Sequence, residues 1–291
     1  MKTANKIFRR SLAGVCLLVV WSCAGTPAQA QTPQPIVDYN FDHNPADESE
    51  INTGNDSHHA TLGFKDSKGA KVNLHSAAGL GVSGQLTDYA FDNSASVTMG
   101  PPGPGGLAIS NTSASGTGKL ISFTITGWFK TLPGMTLGAG ARFFDTFGAE
   151  GTNVYLAGGV PLGSLNFGLN GSSVTSLPVF TAQGAWVFFA VTYDSSSSGG
   201  DDTLFYAGSA ATPVSLVSSS DLTKRLPGSL NALCIGNRFS RDRPFKGYID
   251  DFKIFGSSTD GTGALPIEQI QAICTADKTG PSPAAPASPK P

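Results

Sequence analysis

Charge is scarce in this sequence, and the little there is nearly cancels. Charged residues make up 14% of the 291, with 19 lysines and arginines against 21 aspartates and glutamates, for a formal net charge of -2. Without a basic excess there is no electrostatic footprint for nucleic acid or for an anionic membrane surface, and neither partner is expected. Glutamate is rarer still, confined to Glu48, Glu50, Glu150 and Glu268. Few helix formers among abundant Gly, Ser, Thr, Val and Phe exclude a helix-rich fold and suit strands joined by turns. Histidines number 4, and His58 and His59 are adjacent, so in an extended segment they diverge and read as loop rather than as metal ligands. No GxSxG nucleophile turn occurs. No CxxC or Cys/His cluster occurs either, which excludes a zinc site. Beyond residue 21 no apolar run is long enough for a membrane-spanning helix.

The N-terminus does carry a pattern. Lys2, Lys6, Arg9 and Arg10 precede the apolar run "SLAGVCLLVVW" (Ser11 to Trp21), and "AQA" (Ala28 to Ala30) supplies small residues at a cleavage position. Residues 1–30 are therefore expected to be a signal peptide, and the protein to be secreted, periplasmic or in the cell envelope. A lipoprotein signal, "VWSC" with Cys23 lipidated, is the competing reading, against which stands the bulk of Trp21. The exported chain keeps Cys234 and Cys274, an even number in an oxidising compartment. One disulfide from a late strand to a C-terminal helix is then expected, with two buried thiols as the alternative.

Residues 31–35 read as a linker, 36–275 as one domain and 276–291 as a Pro/Ala-rich tail too poor in apolar residues to order itself. Within the domain, strand signals recur: "IVDYNF", "AKVNL", "ASVTM", "LISFTITGWFK", "ARFFDTF", "NVYLA", "SLNFGLN", "AWVFFAVTYD", "TLFYAG", "ALCIG" and "GYIDDFKIF". In "SFTITGWFK" Phe123, Ile125 and Phe129 share one face and Thr124, Thr126 and Lys130 the other, as one wall of a sandwich requires. "AWVFFAVTY" is apolar on both faces, which predicts a central strand. Only "ALPIEQIQAIC" reads as helix, with Ile267, Ile270 and Cys274 on one stripe after Pro266. The expected fold is all-β: a two-sheet antiparallel jelly-roll β-sandwich with one short C-terminal helix.

Several signals that resemble chemistry have a plainer reading. "GLGVSG" at Gly79 fits GxGxxG but is not placed between a strand and a helix, so it reads as a loop. "GPPGPGG" at Gly100 is a loop as well. "SSSSGG" at Ser195 reads as a hairpin tip, and Asp201 and Asp202 after it as solvated loop acids, with metal binding as the alternative. Trp128 and Trp186 lie inside strands and read as core, with an aromatic platform for a ligand as the alternative.

The ordered series "DYNFD", "GLGVSGQLTDYAFDNSASVTM", "SFTITGWFKT", "AWVFFAVTYD", "LCIGNR", "RPFKGYIDDFKIF" and "IEQIQAI" resembles the concanavalin A-like lectin/glucanase superfamily, in particular its LamG-like (laminin G-like) jelly-roll domains. The resemblance spans about residues 36–275 and implies fold more strongly than function. Glycoside hydrolases occur in the superfamily. However, no paired glutamates of the ExDxE kind occur here, and by alternation the neighbours Asp250 and Asp251 face opposite sides and cannot flank one bond. Alternation groups Asp250 with Tyr248, Phe252 and Ile254, and Asp251 with Ile249 and Lys253.

A carboxylate among apolar neighbours must be paired, bonded or metal-bound. The resemblance implies a structural Ca2+ between first and last strands, for which the matching positions are Asp250 and Asp42, and Asp250 as a buried hydrogen-bond acceptor is the alternative. For a ligand site the candidates are Tyr155, Asn166 and Asn170, on a hairpin expected near the concave sheet, and Arg238 with Arg241 and Arg243. The resemblance implies an exported, non-catalytic recognition module binding carbohydrate. The alternatives are protein-directed adhesion or a structural envelope role and, more remotely, a glycoside hydrolase. The expected partner is thus a glycan or a cell-surface protein.

Overall fold

A computed structural model describes residues 33–43, 47–56, 61–66, 68–96, 105–110, 119–133, 140–146, 151–157, 163–180, 183–223, 225–230 and 232–280. The expected signal peptide, with Cys23, and the pair His58 and His59 lie outside the described residues. Alternating apolar residues on Phe-rich segments need a second apolar surface to cover them, and the chain supplies one by building two sheets.

The first is seven-stranded, in the order β1 (Val37–Tyr39), β17 (Gly247–Ser257), β7 (Ser122–Thr131), β12 (Trp186–Asp194), β13 (Thr203–Ser209) and β14 (Ser215–Ser220), with β4 (Phe91–Asp92) also paired to β17. The second is eight-stranded, in the order β11 (Ser172–Pro178), β10 (Ser164–Leu169), β9 (Thr152–Leu156), β8 (Arg142–Thr146), β16 (Leu233–Ile235), β5 (Leu107–Ser110), β3 (Thr61–Lys65) and β2 (Ser49–Ile51). A short pair, β6 (Lys119–Leu120) with β15 (Gly228–Ser229), stands apart. All the ladders are antiparallel.

Between the sheets lies one core. Phe123, Ile125 and Phe129 of β7 point into it, as their alternation predicts, and meet Phe143, Phe167 and Leu165 of the opposite sheet. Phe129, Phe143, Phe189 and Phe245 pack as an aromatic group with centroids 4.6 to 6.1 Å apart. Each such ring taken from water stabilises the fold by roughly 1.5–3 kcal/mol. β12 is central, flanked by β7 and β13, and buried on both faces. Its second face packs under α1 (Ile267–Thr279), where Trp128, Phe188 and Phe255 meet Leu265, Ile270, Ile273 and Cys274.

Four expectations are corrected. α1 continues to Thr279, so the ordered domain extends past residue 275: Asp277 falls two turns after Ile270 on the buried stripe and is itself buried. "AKVNL" makes only an isolated bridge at Lys71, while strands β3, β5, β11 and β14 form in segments that had no clear strand signal. Cys234 and Cys274 are both free and buried. Cys234 sits on the outward side of β16, whose Leu233 and Ile235 fill the inter-sheet core, whereas Cys274 lies under α1 on the outside of the other sheet. A whole sandwich separates them, and a disulfide needs Cα atoms within about 7 Å. Asp202, finally, is not a solvated loop acid: it is buried, accepts the Leu222 N–H at 3.0 Å and has Arg225 Nε at 3.5 Å.

No helix among the described residues is long and apolar enough to cross a membrane.

Candidate functional site

Simple alternation places Asp250 and Asp251 on opposite faces of β17, and a β-bulge overturns it. Asp250 pairs with Trp128 and Lys253 with Thr126, so Asp251 and Phe252 together oppose Gly127. Asp251 adopts φ 47°, the left-handed conformation that the extra residue of a bulge demands and that Asp tolerates better than most. Gly127 leaves the room: a Cβ there would meet the Phe189 ring at 3.1 Å. The bulge resets the pattern. Ile249, Phe252 and Ile254 all reach the core, while Asp250 shares the outer side with Tyr248 and Lys253. Neither Phe252 nor Ile254 is on its face, and Asp251 does not share one with Ile249. The geometric objection to the two acids acting on one side therefore falls.

What they do instead is visible in their partners. Asp250 is fully buried and accepts the Val82 N–H at 2.8 Å and the Asp251 N–H at 2.8 Å. Val82 belongs to the "GLGVSG" loop, which binds carboxylates of its own chain: Ser83 N–H also donates to Asp88. Beside it a depression of about 200 Å³ is lined by Asp38, Asn40, Asp42, Asp88, Asp251, Lys253 and Asp277. Lys253 Nζ sits among the acids, 2.7 Å from Asp251, 2.8 Å from Asp277 and 3.7 Å from Asp38. Asp277 also accepts the Trp128 indole N–H at 3.0 Å.

One lysine does not balance these acids. Burial first, and then Asp251, Asp88 and Asp42, push Asp250 well above the carboxylate range. Asp42, which accepts the Tyr89 N–H at 3.0 Å, is pushed up to about 7 by burial, with Asp88, Asp251 and Glu50 adding to it. Three carboxylates hold Lys253 protonated against its burial. Surplus negative charge and hard oxygen donors are the chemistry that suits Ca2+. The Asp42, Asp88 and Asp251 side of the depression fits that ion by donor type. Asp250 fits less well, because both of its oxygens already accept backbone N–H groups. Among the described residues no three His, Cys, Asp or Glu side chains form a ready metal-ligand group.

A second polar surface lies on the outside of the eight-stranded sheet. Val154 and Leu156 of β9 and Leu165 and Phe167 of β10 turn inward, which sends Asn153, Tyr155, Asn166 and Gly168 outward. Cross-strand register aligns them in two rungs. Arg142, Tyr155, Asn166 and Thr175 form one, and Asp145, Asn153, Gly168 and Ser173 the other. The Arg142 guanidinium lies over the Tyr155 ring, 3.9 Å from its centroid, and its Nε donates to Asp145 at 2.9 Å. Burial raises Asp145 to about 6 despite that arginine. Gly168 has a steric reason: a Cβ would lie 2.6 Å from the Asn153 amide oxygen.

Among the described residues Arg142 Nη1, Asn153 Oδ1 and Asn166 Oδ1 are buried without a hydrogen-bond partner. Arg142 and Asn153, which carry two of these atoms, line one shallow depression of about 200 Å³ with Tyr155 and Gly168, and Asn166 stands beside Tyr155 in the same rung, so the surface suits polar groups.

Of the residues singled out in the sequence, Tyr155 and Asn166 thus stand side by side in this surface. Asn170 does not join them: with Gly171 it forms the two-residue turn between β10 and β11, both at positive φ, and its amide reaches the Leu226 carbonyl at 3.4 Å. Arg238 is held by Asp242 through two 2.5 Å bonds from Nε and Nη2. Asp42 and Asp250 both belong to the acidic cluster. Arg142 and Asn153 were missed, although Asn153 is two residues before Tyr155 on a recognised strand and period-2 alternation alone places it on the same face.

The family model Laminin_G_3, described as "Concanavalin A-like lectin/glucanases superfamily", matches residues 104–261. No curated protein matches the chain. Among solved structures, domain 4 of AbnA, a GH43 extracellular arabinanase from Geobacillus stearothermophilus in complex with arabinotriose, superposes with a TM-score of 0.52 at 14% identity, covering 84% of this chain and 99% of that one. An arabinofuranosidase complexed with arabinofuranosyl-alpha-1,2-xylobiose gives 0.53 at 14% identity, covering 79% of this chain and 50% of that one. At such identities the likeness is one of fold, and it agrees with the two antiparallel sheets and single C-terminal helix. With the family model covering more than half of its residues, the chain belongs to the Laminin_G_3 family of the concanavalin A-like lectin/glucanases superfamily.

Proposed function

We propose that the chain is an exported, non-catalytic carbohydrate-binding module, and that sugar binds on the outside of the eight-stranded sheet over Tyr155, Arg142, Asn153 and Asn166. The observation that carries this is the set of unpaired buried atoms: one donor, Arg142 Nη1, and two acceptors, Asn153 Oδ1 and Asn166 Oδ1. A hydroxyl both donates and accepts, so neighbouring hydroxyls of one sugar satisfy all three, which a carboxylate or an ammonium alone does not. Asp145 balances the charge of Arg142, which favours a neutral sugar over an acidic one.

A Ca2+ ion beside Asp42, Asp88 and Asp251, with Asp250 anchoring the loop behind them, belongs to the same reading as a structural element. The non-catalytic part is supported by Asp277, whose two oxygens accept from Lys253 and from the Trp128 indole N–H, which leaves it no free oxygen to act as nucleophile or base.

The test is a glycan array with the full chain in calcium buffer, weighted towards arabinose- and xylose-containing oligosaccharides because the superposed structures hold them. Selective, saturable binding that Asn153→Ala and Arg142→Met abolish is the expected result. A blank array from folded protein sinks the reading and favours a protein partner. Release of reducing sugar from a bound oligosaccharide sinks the non-catalytic part.

A further inference from the structure

The outer face of the seven-stranded sheet is covered over most of its area. Phe188, Trp128 and Phe255 lie beneath Leu265, Ile270 and Ile273, and Val82 closes over Asp250. One rung stands at the margin of this cover, where Trp186 packs against it on one side. Trp186 of β12 pairs with Lys130 of β7, Lys130 with Tyr248 of β17, and Tyr248 with Asp92 of β4. All four side chains are half-buried.

Two strand spacings separate Trp186 from Tyr248, about 10 Å between backbones. Their ring centroids are nevertheless 6.4 Å apart, inclined at 56°, so the rings lean together across Lys130. Lys130 Nζ stands 5.9 Å from the Trp186 ring, and among the described residues no carboxylate pairs with it. The rung therefore offers two tilted aromatic faces, a donor-only ammonium and, beyond Tyr248, an acceptor-only carboxylate.

We propose that this rung is a second carbohydrate-binding platform, on the opposite side of the sandwich from Tyr155, which stacks one sugar ring on Trp186 and Tyr248 and bonds its hydroxyls to Lys130 and Asp92. The apolar C–H face of a sugar ring matches an aromatic face, while its rim of hydroxyls both donates and accepts, which is what a lysine at one end and an aspartate at the other require. The inference rests on the reading that the module binds carbohydrate, but on none of the residues used for it. Two sites facing apart let one chain bridge two polysaccharide strands, with the gain in avidity that bivalence brings.

Calorimetry with the full chain and the oligosaccharide selected by the array tests this, together with the turbidity of the corresponding long polysaccharide. Two sites per chain are expected. Arg142→Met should remove one and leave the other, whereas Trp186→Ala or Lys130→Met should weaken the other about tenfold or more, a loss of about 1.4 kcal/mol. Trp186→Phe, which keeps a ring, should bind more tightly than Trp186→Ala and controls for folding. Wild type should cross-link the polymer, and neither class of variant should. The array is repeated with Arg142→Met, so that a platform selecting a different sugar is read directly. A single site untouched by Trp186→Ala and Lys130→Met, with no sugar bound by Arg142→Met, overturns the second platform and leaves the Tyr155 surface standing. Absence of binding by any variant or by wild type overturns both.

Discussion

Arg142 holds its guanidinium over Tyr155, 3.9 Å from the ring centroid, and so links β8 to β9 on the outer surface of the sheet. With Nε committed to Asp145, the buried Nη1 is left to meet a ligand. The pair is thus both a clasp and the donor end of the proposed site.

Changes on that surface should separate binding from stability. Tyr155 is half-buried, so Tyr155→Ala should shift the melting temperature little while weakening sugar binding about tenfold. Gly168→Ala is the sharper probe. Its Cβ would meet the Asn153 amide oxygen at 2.6 Å, and moving that amide should weaken binding although no ligand contact is deleted. Titration of both variants against the array-selected sugar, alongside thermal melts, checks this. Unchanged affinity in both places the site elsewhere.

Acidity should stabilise the domain in a window set by three carboxyls. Burial raises Asp42 and Asp277 to about 7 and Asp145 to about 6, above the ordinary 3.8. A folded-state pKa raised in an acid means that the native state binds the proton more tightly than the unfolded chain, so stability rises as pH falls from about 7 towards 4. Asp242, held low by Arg238, opposes this only below its ordinary value of 3.8. The melting temperature should therefore be higher at pH 5 than at pH 7.5. Asp42→Asn should flatten the rise and stabilise the protein at pH 7.5, on the order of 3 °C if the gain is about 1 kcal/mol. A melting temperature that falls between pH 7.5 and 5 contradicts the assignment.

Calcium should act on Asp42 and the acids beside it. Addition of Ca2+ at pH 7.5 should raise the melting temperature of wild type, and chelation should reverse it. Asp42→Asn should remove the response. If wild type melts identically with Ca2+ and with chelator, no such ion is held.

Loss of Asp250 should be costly whether or not calcium binds. Asp250→Ala leaves the half-buried Val82 and Asp251 N–H groups without their acceptor, at about 1 kcal/mol each. Calorimetric unfolding should show a melting temperature lower by several degrees, with Asp250→Asn milder because its amide oxygen still accepts. Wild-type stability in Asp250→Ala would mean that the loop finds other partners.

The two cysteines should behave as inert thiols. Burial raises both, Cys274 to about 11, which suppresses the reactive thiolate. Reductant should leave the melting temperature unchanged, and a thiol reagent should label Cys234 and Cys274 only after unfolding. Rapid labelling of the folded chain, or a mass showing two hydrogens lost, contradicts this.

Local pattern was sufficient where it was strong. The alternation of Phe123, Ile125 and Phe129, the two-faced apolar run of β12 and the stripe of Ile270 and Cys274 each carry their own instruction, because burial acts on every second or every third to fourth residue regardless of distant partners. Those segments, with the scarcity of charge and of glutamate, determine an all-β sandwich capped by one helix. Weak segments such as "SLVSSS" become strand β14 only because β13 offers an open edge, which no local pattern announces.

The sites were decided at the tertiary level. One residue of bulge at Asp251 reverses the facing of everything after it in β17, and its cause, Gly127 yielding space under Phe189, lies on another strand. Asp277 joins the acidic cluster through a helix that runs five residues past Cys274, where its apolar stripe suggested it would end. Arg142, Asn153 and Asn166 come from three strands, and the Trp186, Lys130, Tyr248 and Asp92 rung from four. Sequence alone determined which residues face outward along most of a strand. Only the register between strands decided which of them stand together, because hydrogen-bonded neighbours 4.8 Å apart in space are separated by tens of residues in the chain.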